Sequence, residues 1–389
     1  MPQQQDPSPP LRVAIIGTGM IAATHIRAAR DAGGTVLGVL GSTPERSAAA
    51  AADLRVPVGY PDLDALLAEH PDVVHICTPN DTHVSYALAV IGAGVHVVVE
   101  KPISVDLPGA QRLATAVAAA GVVATVPYVY RYHPIVREIR ARRIAGELGE
   151  VALIHGSYLQ DWLISPDAST WRIDPDRGGP SRAFADIGTH WCDLAEFVSG
   201  EQFTEVTAAT TITYPTRPAG SLASFATAAG NLAERVPVRT EDTASALLRT
   251  RRGITASTVI SQVSGGRKNR LWLEIDGTAG SAVFDQEHPE VAWFGTDTGT
   301  TLAHRGEGNV SADQARLNRV PAGHSQGWTD AFAGFVADTY TAVATGTIPD
   351  GLPTVTDGLR SVQIIDAVLS SAATGSWTPI PTTTIEELR

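Results

Sequence analysis

Residues 182–198, RAFADIGTHWCDLAEFV, set Asp186 and His190 four apart among apolar residues that recur at helical spacing. Positions i and i+4 share one helical face, so the carboxylate and the imidazole project together. A neutral imidazole, whose ordinary pKa is about 6.5, suits a general base near neutral pH. The plainer alternative is two polar groups sharing a helix turn. A metal reading would have to recruit Asp193. No third ligand stands at a recognised spacing, so no metal is assigned.

A second chemical group ends the buried run VHVVVEKP, where Glu100, Lys101 and Pro102 close a strand. Just upstream, TPNDTH follows one strand and precedes a helix. Its residues Thr78, Pro79, Asn80 and His83 therefore lie at the carboxyl edge of a sheet, where open α/β folds bind ligands. Glu100 and Lys101 reach the same edge.

These groups need a sheet and a ligand to act on, and the N-terminal stretch VAIIGTGMIAATHIRAA offers both. It reads as a buried strand, a tight turn through Gly17 and Gly19, and a helix opening at Met20 and Ile21. Ala22 stands where a third glycine often does. Glycines there let backbone amides approach a pyrophosphate at the helix N-terminus, and the small third residue permits close helix–strand packing. The next strand, TVLGVLG, ends in Gly41, Ser42 and Thr43, with Arg46 one helical turn further on. The acid that would bind the ribose hydroxyls of NAD is missing. Its absence removes repulsion against a 2′-phosphate, and Ser42 and Arg46 can donate to one. The cofactor expectation is thus NAD(P), leaning to NADP with NAD not excluded. The bland alternative is that these residues cap the helix beginning near Pro44.

Other candidates lie on the substrate side. The segment YLQDWLISPDASTWRIDPDRGGPSRAF joins a strand to the Asp186–His190 helix and contains Asp161, Trp162, Trp171 and Arg172. Polyols are gripped by carboxylates and guanidinium groups, with an aromatic wall against their C–H faces. In YRYHP, Tyr130, Arg131 and His133 fall where the sequence texture changes, and either contact substrate or pack between domains. His25, His75 and His96 are assigned to the cofactor fold, and His83 to its nicotinamide side.

The whole chain of 389 residues fits about two domains at roughly 150 residues each. Residues 1–10 read as a flexible tail. Residues 11–127 alternate strands and helices, as a doubly wound parallel sheet requires. Residues 128–389 read as an α+β domain with a large, mostly antiparallel sheet, a loop over 295–325, and closing helices that could pack back on the first domain. The formal net charge of −12 argues against nucleic acid and anionic lipid as partners. No apolar run of about 18 residues suggests a membrane span, and MPQQQDPSPP does not read as a signal peptide. Cys77 and Cys192 sit in apolar stretches, so a reducing, cytoplasmic setting without a disulfide is expected.

Taken in order, GTGMIAATH, TPNDTH, EKP, YRYHP and DIGTHWCDL resemble the Gfo/Idh/MocA oxidoreductases, which include glucose-fructose oxidoreductase and inositol dehydrogenases. The resemblance runs over roughly residues 11–375. It implies a Rossmann domain followed by a domain whose broad sheet often packs against another subunit. Lys101 matches the family's catalytic lysine, and Asp186 with His190 matches its Asp-x-x-x-His. A cis bond before Pro102 is also implied. The expected reaction moves a hydride between a secondary hydroxyl of a sugar, glycoside or cyclic polyol and nicotinamide C4. In that expectation His190 removes the hydroxyl proton and Lys101 stabilises the reacting oxygen, while Asp186 binds a substrate hydroxyl or holds the geometry. The Trp-containing loop favours a pyranose or glycoside ring. Two other classes remain: an internal-redox enzyme that retains NAD(H) and cleaves or dismutates glycosides, and a non-catalytic sugar or dinucleotide sensor. A homodimer or homotetramer is expected, through a sheet face without helical cover.

Overall fold

The computed structural model describes residues 9–219 and 234–382. The tail expected over residues 1–10 falls outside them except for its last two residues. The first part of the chain runs β1 (Arg12–Ile16), α1 (Met20–Asp31), β2 (Thr35–Leu40), α2 (Pro44–Leu54), β3 (Val58–Tyr60), α3 (Leu63–Leu67) and β4 (Val73–Ile76). It continues through α4 (His83–Gly92), β5 (His96–Val99), α5 (Leu107–Ala120) and β6 (Ala124–Thr125). All its strands pair in parallel, in the order β3-β2-β1-β4-β5-β6. This is the doubly wound order, whose crevice opens at the carboxyl ends of β1 and β4.

The β1 sequence RVAII explains why this sheet is buried on both sides. Val13 and Ile15 point to one face and Ala14 and Ile16 to the other, and none is more than 1% exposed. Ile26 and Ala29 of α1 cover the first face together with Phe332, Phe335 and Val336. Val90, Leu113, Leu359 and Val362 cover the second. Covering both faces therefore takes two helices from the far end of the chain, α10 (Trp328–Thr345) and α11 (Val355–Thr374).

Between them come α6 (Pro134–Ile144), β7 (Val151–Leu159), α7 (Pro175–Gly178), α8 (Thr189–Ser199) and β8 (Phe203–Thr211). Next are a small hairpin of β9 (Thr216–Pro218) and β10 (Arg235–Pro237), then β11 (Thr243–Thr250), β12 (Thr255–Ser261), β13 (Arg270–Gly277) and β14 (Ser281–Asp285). The chain finishes with β15 (Val291–Thr296), β16 (Gly299–His304), α9 (Ala312–Leu317), α10, α11 and β17 (Thr378–Pro379). Nine of these strands form one sheet, ordered β16-β15-β14-β13-β7-β12-β11-β8-β17. It is antiparallel except where β7 meets β12. Trp191, Ile139 and Val368 pack on one face. The other face is open among the described residues, with Leu153, Leu247, Val259 and Leu302 exposed.

One expectation fails here. The polar stretch 295–325 is not simply a loop: GTDTGT is the turn of a hairpin, β16 pairs with β15, and α9 follows. An edge strand exposed on both faces carries no apolar alternation, so its residues read as a loop. Cys77 and Cys192 are buried free thiols. Among the described residues no helix is long and apolar enough to cross a membrane.

Candidate active site

The glycine turn after β1 is built for close approach. Gly17 has φ +110, and a Cβ there would lie 2.5 Å from the Cys77 carbonyl oxygen. The turn can run against the end of β4 only without a side chain. At Gly19, the N-cap of α1, an added Cβ would meet nothing within 4 Å. The free amides of the first helical turn thus open onto space, as a diphosphate requires. A cavity of about 630 Å³ runs from this turn to Lys101 and His190.

Most sequence-predicted cofactor residues line that cavity: Met20 and Ile21 at the helix start, Ser42 and Arg46 after β2, and Thr78, Pro79 and Asn80 after β4. Arg46 donates to the Ser42 hydroxyl at 3.2 Å. Thr43 does not join them, because its hydroxyl caps α2 by accepting from the Arg46 amide at 3.3 Å. His83 lines the cavity too, but its ring nitrogens lie 2.8 Å from the carbonyls of Pro102 and Thr78. It ties the TPNDTH loop to the EKP loop. Burial pulls its pKa down in spite of those two acceptors.

Glu100 anchors a buried chain. His25 Nε2 lies 3.1 Å from its carboxylate, His25 Nδ1 lies 2.9 Å from His75 Nδ1, and His75 Nε2 lies 3.1 Å from the Tyr340 hydroxyl. Burial opposes the charge on Glu100, but His25 and Lys101 outweigh it and hold its pKa down. With the carboxylate ionised and both imidazoles neutral, one proton order satisfies every contact: Tyr340 donates to His75, His75 to His25, and His25 to Glu100. The other Glu100 oxygen accepts the Lys101 amide at 3.1 Å. The Lys101–Pro102 bond is cis, as the family resemblance implies.

Lys101, Asp186 and His190 come together across the two sheets. Lys101 Nζ donates to the Asp186 carbonyl at 2.8 Å and to its Oδ1 at 2.9 Å. Gln262 donates to Oδ2 at 2.8 Å, and Arg172 Nε lies 3.4 Å from Oδ1. Burial resists ionisation of Asp186, but Lys101 and then Arg172 prevail and hold its carboxyl well below the usual range. The local backbone aims it there. Residues Phe184–Gly188 form a π-helical turn ahead of α8 rather than the start of a regular helix. Glu241 caps that turn, accepting from the amides of Arg182 and Phe184. Such wide turns recur at functional sites.

Asp186 does not orient His190, since no hydrogen bond joins the pair. His190 is boxed by the rings of Tyr130, Tyr128 and Tyr158. Its Nδ1 is buried without a partner, which leaves Nε2 to meet the cavity. Burial, and next the Lys101 ammonium, push its pKa down to about 3. The ordinary imidazole value expected from sequence is therefore displaced, and the ring is neutral at any physiological pH.

Beyond His190 the wall is polar. Asn269 Nδ2 lies 3.2 Å from the Tyr130 hydroxyl, that hydroxyl 2.5 Å from the Tyr158 hydroxyl, and the latter 2.6 Å from Asn269 Oδ1. Each member of this ring donates once and accepts once. Gln160 donates to the same Asn269 oxygen at 2.9 Å and accepts from Trp162 Nε1 at 3.0 Å. Trp171 stacks under the Arg172 guanidinium at 4.4 Å. Two predicted substrate residues lie elsewhere. Arg131 is buried in a bidentate pair with Asp193, at 2.9 and 2.5 Å, and reaches Asp357 at the start of α11. Asp161 binds Lys268 Nζ at 2.6 Å and the Gly266 amide. The sequence reading missed Tyr158, Gln160, Gln262 and Asn269. Only Gln262 left a trace, as a polar residue closing an alternating strand.

The fold and this edge define a class, that of oxidoreductases built on a dinucleotide-binding sheet. A family model described as an oxidoreductase family with an NAD-binding Rossmann fold matches residues 11–128. A GFO/IDH/MocA C-terminal domain matches residues 136–283. The chain is 32% identical over 329 residues to levoglucosan dehydrogenase of Pseudarthrobacter phenanthrenivorans, covering 81% of this chain and 82% of that one. It is 26% identical to inositol 2-dehydrogenase 2 of Saccharopolyspora erythraea over 95% of each. A solved levoglucosan dehydrogenase in complex with NADH and L-sorbose superposes with a TM-score of 0.87 at 26% identity, over 96% of this chain and 99% of that one. The chain belongs to the GFO/IDH/MocA oxidoreductase family.

Proposed function

We propose that this chain is an NAD(P)-dependent dehydrogenase that oxidises a secondary hydroxyl on a sugar, glycoside or cyclic polyol ring. The observation that carries the reading is the meeting of Lys101 and His190 at the far end of a cavity that begins at the glycine turn. Names of relatives support the substrate class, since levoglucosan and inositol are both cyclic and polyhydroxylated. When bound, the dinucleotide supplies the hydride acceptor.

The protein's own part is proton handling and positioning. Two of the three Lys101 N–H groups are spent on Asp186, and the third is left for the reacting oxygen, whose growing negative charge it stabilises. His190 takes the hydroxyl proton at Nε2. Burial and Lys101 disfavour its imidazolium and make it a weak base in the resting site, so the proton it takes as the hydride leaves goes on through the cavity to solvent. Asp186 has its oxygens committed to Lys101, Gln262 and Arg172, so it acts by holding Lys101. Asn269 and Gln160 keep a spare amide N–H each for ring hydroxyls, and Trp162 and Trp171 offer apolar faces.

At the adenosine end Ser42 and Arg46 present donors, and β2 is followed by Gly41 and Ser42 rather than by an acid, which favours NADP. The buried free thiols agree with a reducing compartment, and the open sheet face with a dimer or tetramer. The test is absorbance at 340 nm with each dinucleotide over a panel of monosaccharides, glycosides and inositols, after mass analysis of any copurified nucleotide. Steady reduction is expected, falling about 10²–10⁴-fold in kcat for Lys101→Ala and His190→Asn. Arg46→Ala should erase the preference for NADP while sparing NAD. Product release with a retained dinucleotide and no reduction in solution would replace this reading with internal redox.

A further inference from the structure

On the open face of the nine-stranded sheet, opposite the cavity, His155, Glu274 and Asp276 form a cluster that the oxidoreductase site does not use. Alternation along β7 separates the two faces: Ile154 and Tyr158 point to the helices, and His155 points out. His155 stands directly across from Glu274 on β13, and Asp276 lies two residues along the same face. His155 Nε2 is 3.5 Å from a Glu274 oxygen and 3.4 Å from an Asp276 oxygen. All the potential ligand atoms lie within 4.8 Å of one another. We propose that this cluster is a divalent transition-metal site, with zinc as the ion it fits.

Distance is the first argument. Charge-assisted hydrogen bonds between nitrogen and carboxylate run about 2.7–2.9 Å, and neither contact is that short or makes a hydrogen bond. A tetrahedral zinc with bonds of about 2.0–2.2 Å holds its ligand atoms about 3.4 Å apart. The two His155 contacts match that edge, and the carboxylate oxygens lie within 4.8 Å of each other. Charge is the second argument. Among the described residues no Lys or Arg pairs with Glu274 or Asp276, whose ion-pair partner is His155 alone. Their cross-strand neighbours Val283, Ser281 and Leu153 carry no charge. Two carboxylates held on one face of a rigid ladder have, among the described residues, only His155 between them to offset their repulsion. A dication neutralises both and takes the imidazole nitrogen as its third ligand, with water in the fourth position. One imidazole with two carboxylates suits zinc and its first-row neighbours better than calcium or magnesium, which prefer oxygen alone.

The site is tested on tag-free, chelator-treated full-length protein by equilibrium dialysis against Zn²⁺ and by the visible spectrum on adding Co²⁺. One equivalent per chain is expected, with the intense bands of low-coordinate Co²⁺. Affinity should fall at least about tenfold in His155→Ala and in Glu274→Gln, and should survive in His190→Asn, which alters the cavity. Far-UV circular dichroism shows whether each variant is folded, and either one suffices. No stoichiometric uptake, or uptake that persists without His155 and Glu274, would overturn the site and leave His155 as a bridge between two carboxylates.

Discussion

The two ends of the cavity are made of different material. Its cofactor end is backbone: a turn against the Cys77 carbonyl, the first amides of α1, and a loop pinned by His83. The substrate end is side chain, drawn from the EKP loop, β7 and the segment after it, the π-turn before α8, and Asn269 just ahead of β13. Backbone walls depend on a few consecutive residues, and here they fall within the stretch matched by the NAD-binding Rossmann family model. Side-chain walls depend on register between distant strands, and that is where members of one family can differ in substrate.

Gly17→Ala tests the first wall and should have the largest effect. Its Cβ would stand 2.5 Å from the Cys77 oxygen in a backbone conformation with φ +110. Strain and displacement together should remove about 2–4 kcal/mol of stability. Dinucleotide affinity should fall with it, as read by thermal unfolding with and without NADP. An unchanged affinity would mean that the turn is not the diphosphate cradle.

The second wall answers to pH. His133 stacks on Tyr130 beside His190, with Nε2 buried and unpartnered, and burial pushes its pKa down to about 4. A histidine lowered in the folded state binds fewer protons there than in the unfolded chain. Stability is therefore intact above its ordinary pKa and drains away as pH falls from about 6.5 towards 4. His133 alone should contribute about 3 kcal/mol of that loss. His75, also pulled down by burial, adds in the same direction. Replacing His133 by Phe keeps the ring and should flatten the decline between pH 6.5 and 4 in urea unfolding. Equal declines in both proteins would show that His133 takes up its proton as readily in the fold as in the unfolded chain.

This division explains what could be read in advance. Gly17, Gly19, the strand alternation and the EKP ending are local patterns, and they placed the sheet and Lys101 correctly. Asp186 was legible as a residue but not as a contact: four-residue spacing suggested a partner for His190, whereas the π-turn carries its carboxylate to Lys101. Arg131 and Asp161 had the right chemistry for a polyol, yet Asp193 and Lys268 claim them, and both partners lie more than sixty positions away. Gln160 and Asn269 bear no motif, because their meeting depends on the pairing of β7 with β13.

Asn269→Ala sharpens the comparison with the smallest of these effects. Its amide closes the ring with Tyr130 and Tyr158, and its oxygen also holds Gln160. The truncation leaves Gln160 free to turn and the Tyr158 hydroxyl without its acceptor, at a cost of about 1–3 kcal/mol. Little of that reaches the dinucleotide, because no cofactor residue touches the ring. KM for the sugar should rise about tenfold or more, with the dissociation constant for NADP unchanged. If both constants moved together, the two walls would be one mechanical unit, and the separation drawn between a shared cofactor end and a variable substrate end would not hold for this chain.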